Sequence, residues 1–233
     1  MRICAITLGD SKIRSYSKYS FEINQSYCTR HGYCYIQYND TIDKTRPPAW
    51  SKILAIKDQI DNFDWIFYID ADAIFFNHDI KIESFIDVNF NMIISEAVNE
   101  KWVKQYYSDS KDFLNINSGS FLIKGKNIWS KFLLDYIYSK TNRIDHHFWE
   151  NQALFDIVLE QNPIINKKIK LLKQKELNGF EQNMYCYSDF SIFQYIIHYA
   201  GMSAEDREFF LKKRHQEFLS GKFTGDQQKN KEL

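Results

Sequence analysis

Apolar positions along the chain fall into short runs, and the spacing inside each run switches between the periods of strand and helix. Ile3–Leu8 is apolar and closed by Gly9-Asp10, which predicts a buried first strand ending in a loop. Tyr19, Ile23 and Tyr27 recur on one face of a helix over residues 16–31, and Gly32 stops it. Residues 33–38 read as a second strand, so strand, helix and strand succeed one another and the sheet starts parallel. Residues 40–49 are polar, carry Pro47-Pro48 and form a loop. Ile53, Ile56 and Ile60 space a helix over residues 50–60. Trp65–Ile69 is a third strand, and Asp70-Ala71-Asp72 follows it directly. Met92–Ser95 and residues 118–124 read as strands, and residues 127–139 and 150–159 as helices. Residues 194–199 read as a last strand before Gly201. From Ser203 the chain is a charged helix and a polar tail, with Glu205 and Asp206 placed to favour a helix N-terminus. Without an internal repeat or a Gly/Ser linker, the pattern predicts a single α/β domain over residues 1–202 and a charged extension over 203–233.

Composition narrows the classes. A chain of 233 residues with 44% hydrophobic and 26% charged residues can build one sizeable core. Its 30 basic and 30 acidic residues cancel, which argues against nucleic acid as a partner. Cys4, Cys28, Cys34 and Cys186 contain no C-x-x-C pair, so they read as buried, reduced thiols rather than zinc ligands. No run approaches the roughly 20 apolar residues of a membrane span. The N-terminus lacks a signal-peptide layout, so the expectation is a cytoplasmic protein. Lys212-Lys213-Arg214-His215 with Phe209, Phe210 and Phe218 suggests peripheral contact with an anionic membrane; the competing expectation is a solvated or core-docked helix.

The candidate chemistry lies after the third strand. Ligands of α/β sheets gather at the carboxyl ends of strands. Carboxylates two residues apart on an extended segment share a side, and their mutual repulsion favours a cation between or beside them. Oxygen ligands suit Mg²⁺ or Mn²⁺, ions that commonly hold phosphates. Asp70 and Asp72 therefore read as a metal-diphosphate site, against the plainer reading of a solvated acidic turn. His198, in an apolar strand, is on its own more often a core residue than a ligand. His146-His147 reads as a loop.

Several ordered blocks give the sequence a resemblance. They are residues 24–33 (NQSYCTRHGY), Trp50-Ser51-Lys52-Ile53, residues 65–73 with the paired aspartates, residues 117–123 (NSGSFLI) followed by Trp129-Ser130, Glu150-Asn151-Gln152, and His198-Tyr199-Ala200-Gly201. In this order the chain resembles glycosyltransferase family 34, of the GT-A class. The resemblance implies a Rossmann-like, mixed but mainly parallel sheet flanked by helices. It implies transfer of a hexose or pentose from a nucleotide-diphosphate sugar, UDP ahead of GDP, to an oligosaccharide or glycolipid acceptor, with retention of configuration. Asp70, Asp72 and His198 would hold Mn²⁺, with Mg²⁺ as the alternative. Thr7, Leu8 and Gly9 would border the nucleotide base, Asp70 and Ala71 the ribose and metal, and Lys52 the nucleotide or phosphates. Ser118 and Gly119 would line the donor-sugar pocket, and Asn151 and Gln152 would face the reacting sugar. Asn151 stands where the family often has an acid, with Glu150 beside it. Two other readings compete: a sugar-phosphate nucleotidyltransferase, and a catalytically silent glycan-binding or scaffold protein.

Overall fold

The computed structural model describes residues 1–98, 116–181 and 194–223. The polar tail beyond residue 223 and Cys186 lie outside them. In chain order the main elements are β1 (Ile3–Leu8), α1 (Arg14–His31), β2 (Cys34–Tyr38), α2 (Ser51–Gln59), β3 (Trp65–Ile69), β4 (Ala73–Phe75), β5 (Met92–Ser95) and β6 (Asn117–Lys124). They continue with α3 (Ile128–Ser139), α4 (Trp149–Leu159), α5 (Pro163–Asn166), β7 (Ile169–Leu172), α6 (Gln174–Leu177), β8 (Ile196–His198) and α7 (Ala204–Leu219).

Six strands form a mixed sheet in the order β2-β1-β3-β6-β5-β7. All run parallel except β6, which is antiparallel to both β3 and β5. The strands alternate as a sheet covered on both faces must. Cys4, Ile6, Leu8, Ile66 and Tyr68 face a core shared with α2, α3 and α4. Ile3, Ala5, Trp65, Phe67 and Ile69 face the other side, against Tyr27 and Cys28 of α1. Gly32 ends α1 in the left-handed conformation, φ 71°, and its N–H closes onto Cys28 and Thr29, as a C-terminal glycine should. Cys4 and Cys28 are buried free thiols and Cys34 is a half-buried one. Burial pushes the Cys4 and Cys28 thiols up, which keeps them protonated and unreactive.

Two features position the site. The first is topology. The chain moves from β1 outward to β2, then back past β1 to β3, so the order reverses between β1 and β3. The crevice at the carboxyl ends of those two strands is where doubly wound folds bind ligands. The second is a separate antiparallel ribbon of β4 and β8, which pairs Ala73 with His198. The strand expected over residues 194–199 therefore does not join the main sheet. A turn at the end of β3, in which Ala73 N–H donates to Asp70 O at 3.0 Å, takes the chain out of the line of β3, and β8 pairs there.

The helix expected after Ser203 is core-docked. Ser203 caps α7 by accepting from Asp206 N. Leu211 and Phe223 join Tyr16, Ile23, Ile74, Phe76, Ile197 and Tyr199 in a third apolar cluster. Arg214 is buried and paired with Glu181 and Glu217, His215 pairs with Glu22, and Phe210 stacks on Tyr199. Phe209, Lys212 and Lys213 point outward. No helix among the described residues is long and apolar enough to cross a membrane.

Candidate metal and donor site

Asp70 stands at the end of β3, with its N–H donating to Gly119 O on the neighbouring β6 at 2.7 Å. Asp72 follows after one buried residue, Ala71, whose carbonyl accepts from Ser20 Oγ of α1. Tyr199 N–H donates to Asp72 O at 3.0 Å, which locks the aspartate turn to the chain just after β8. His198, brought in by the ribbon, has Nε2 3.3 Å from Asp72 Oδ1 and 3.9 Å from Asp70 Oδ2. One ligand atom from each of the three residues lies within 4.8 Å of the other two.

The chemistry of this set fits a divalent cation. His198 Nδ1–H donates to Asn178 Oδ1 at 2.7 Å, so Nε2 is left facing the carboxylates. That nitrogen can join the two carboxylates as a third ligand when a cation is bound. An outer hydrogen bond of this kind fixes tautomer and ring angle in metal sites. Gly119 is required by the same ring: a Cβ there would lie 2.1 Å from His198 Cε1 and 2.8 Å from Nδ1.

Lys52 lies beneath the aspartates. Its ammonium reaches Asp70 Oδ1 at 3.1 Å, Glu150 Oε1 at 2.8 Å and Ser118 O at 3.0 Å, and sits over the Tyr68 ring. Burial works against this charge, but Asp70 and Glu150 overcome it and raise the lysine above its ordinary value. Burial pushes Asp70 up despite Lys52. Burial also acts upward on Asp72, but His198 and Arg207 outweigh it and hold the carboxyl well below the usual range. Arg207, from the first turn of α7, places Nε 2.8 Å from Asp72 Oδ2.

The structure thus gathers Asp70, Asp72, His198, Lys52, Ser118 and Gly119 at one point. Ser118 is buried and bonds Glu150 Oε1 through its hydroxyl at 3.1 Å. Asn151 accepts from Ser118 N–H at 2.9 Å, and Gln152 donates to Asp156 Oδ1 at 2.9 Å, one turn along its own helix. Thr7 and Leu8 end β1; Thr7 is fully buried and its Oγ1 has no hydrogen-bond partner among the described residues. A cavity of about 340 Å³ opens at the carboxyl ends of β1 and β2, lined by Gly9, Asp10, Arg14, Ser17, Gln37 and Asn39 among others. Asn178 and Arg207 were not legible in the sequence. Asn178 lies 20 residues from the histidine it orients, and Arg207 is one charge among many in a polar helix.

A sheet of this order, with paired acids after β3 and a late histidine returned to them by a ribbon, defines a GT-A fold. Residues 5–212 match the model of the galactosyl transferase GMA12/MNN10 family. The chain belongs to that family, glycosyltransferase family 34. It is 24% identical over 230 residues to an uncharacterized alpha-1,2-galactosyltransferase of Schizosaccharomyces pombe, a match covering 82% of this chain and 57% of that protein. It is 27% identical over 113 residues to probable glycosyltransferase 6 of Oryza sativa subsp. indica, covering 47% of this chain and 22% of that one. The chain thus spans only part of these longer relatives. Among solved structures, a glycosyltransferase involved in glycosylation of the major capsid of PBCV-1 superposes with a TM-score of 0.66 at 15% identity, covering 91% of this chain and all of that one (100%). The WbbM bifunctional glycosyltransferase superposes with a TM-score of 0.52 at 10% identity, covering 91% of this chain and 51% of that one. At these identities the likeness is one of fold.

Proposed function

We propose that this chain transfers a hexose or pentose from a nucleotide-diphosphate sugar, UDP ahead of GDP, to a glycan acceptor with retention of configuration. The observation that carries this reading is the Asp70–Asp72–His198 set, with Nε2 of His198 turned onto both carboxylates by Asn178. Those three side chains would hold Mn²⁺, since a histidine among carboxylates suits it better than Mg²⁺. When bound, that ion supplies electrostatic stabilisation of the diphosphate.

The chain's own residues do the rest. Lys52 and Glu150 fix Asp70 from below. The polar cavity beside Gly9, between the ends of β1 and β2 and the start of α1, is the proposed pocket for the nucleoside. In the transfer itself, the acceptor hydroxyl oxygen bonds to the anomeric carbon as the carbon–oxygen bond to the diphosphate breaks. The electron pair leaves with the diphosphate, and the acceptor proton passes to a diphosphate oxygen. Asn151, bonded to Ser118 N–H, and Gln152, in the same first turn of α4 as the buried Glu150, are the proposed contacts to the reacting sugar.

A panel of UDP- and GDP-sugars, assayed for nucleotide release, tests the reading. One donor should turn over with Mn²⁺, and EDTA or Asp72→Ala should abolish that turnover. Release that survives both treatments contradicts the assignment.

A further inference from the structure

Arg207 is a cation that the reading above leaves without a task. Its Nε, 2.8 Å from Asp72 Oδ2, also donates to Tyr199 O at 3.2 Å. The guanidinium lies 5.7 Å from the centre of the Tyr16 ring. Neither terminal nitrogen has a hydrogen-bond partner among the described residues, although the side chain is only 21% exposed. A guanidinium offers a planar fork of donors whose best partners are carboxylates and phosphates. Here the terminal N–H edge of that fork is unused.

Charge explains when it would be used. Lys52 and Glu150 cancel, which leaves Asp70 and Asp72 with two negative charges against one positive charge on Arg207. Asp72 is divided: Oδ1 faces His198 and the metal set, Oδ2 faces Arg207. A divalent ion on the first side neutralises the aspartates, loosens the hold of Asp72 on Arg207 and leaves the site with surplus positive charge. An anion is then the preferred guest.

We propose that Arg207 is a diphosphate-binding residue: it rests on Asp72 before the metal binds, and turns its terminal nitrogens onto the donor's diphosphate once the metal is in place. This rests on the metal and nucleotide reading given above. It assigns to α7, which lies at the end of the family match, a direct part in donor binding.

The test is calorimetry of Mn²⁺ alone, and of UDP at saturating Mn²⁺, on the wild-type chain, Arg207→Ala and Arg207→Lys. Arg207→Ala should bind Mn²⁺ at least as tightly as wild type, because a competing cation has left Asp72. Its UDP affinity should fall by about 10- to 100-fold, the worth of charge-assisted hydrogen bonds. Arg207→Lys keeps the charge without the fork, and should lose UDP affinity by less while Mn²⁺ affinity stays unchanged. It also carries the test if the alanine variant does not fold. Unchanged UDP affinity in both variants overturns the proposal. Equal losses of Mn²⁺ and UDP affinity also overturn it, because they mean that Arg207 only props up Asp72. A wild-type chain that binds neither overturns this proposal together with the reading on which it rests.

Discussion

Lys52 has the least freedom of any charged residue near the site. It is 3% exposed and Glu150 is 4% exposed, so neither charge can fall back on water. Removing one member of such a buried set strands its partners, at a cost of about 3–5 kcal/mol. Lys52→Met should therefore lower stability by about that amount in urea denaturation, while an exposed control such as Lys212→Met should change it little. Asn178 and Gly119 act on a different quantity. Asn178→Ala frees the His198 ring, and Gly119→Ala drives a methyl into it. Both should weaken Mn²⁺ binding by about 10- to 100-fold, the usual cost of a lost orienting contact, as read by electron paramagnetic resonance of free Mn²⁺. Unaltered binding in both would mean that His198 is not a ligand. At this scale the sequence revealed the groups with a local signature: two acids after an apolar strand, and a histidine in an ordered block. It concealed Asn178 and Arg207, whose roles exist only because β8 and α7 return to β3. The resemblance implied a Lys52 near the nucleotide or phosphates; its ammonium is held by Asp70, Glu150 and Ser118, a set of partners that no local pattern announces.

Elements were legible in proportion to their length and periodicity. β1, β3 and β5 lie where continuous apolar runs place them, and α1, α3 and α4 follow the spacing of their buried faces. β4 and β7 escaped the sequence reading: they are three and four residues long, too short to show a period. β8 was legible as an apolar strand but not as a member of a separate ribbon, because pairing partners are not written in local pattern. The register shift between Ile94 and Ser95, opposite Asn117, is equally invisible in sequence; irregularities of this kind often re-aim side chains beside sites. α7 reads as a charged extension, yet it seals the third apolar cluster through Leu211. Leu211 is fully buried, so Leu211→Ala should destabilise the protein by about 2–5 kcal/mol. Thermal denaturation would detect this at once. A change within error would mean that α7 is a detachable appendage.

At the scale of the whole molecule, topology and electrostatics meet at one place. The order reversal sets the ends of β1 and β3 side by side, the ribbon brings His198 to the end of β3, and α7 brings Arg207. The neutral net charge of the chain hides this arrangement, because the acids and bases of the site are drawn from elements far apart in sequence. A ligand that binds only the folded chain stabilises it by mass action, about 2.7 kcal/mol at a hundredfold excess over its dissociation constant. Mn²⁺ should therefore raise the melting temperature of the wild-type chain, and should do so less for Asp72→Ala. The most direct test of the central claim is calorimetric titration of UDP, GDP, CMP and ATP, with and without Mn²⁺, into the wild-type chain and Asp72→Ala. The account predicts tight binding of one nucleoside diphosphate, UDP first, that requires both Mn²⁺ and Asp72. Binding indifferent to the metal and to Asp72, or no nucleotide binding at all, would contradict it.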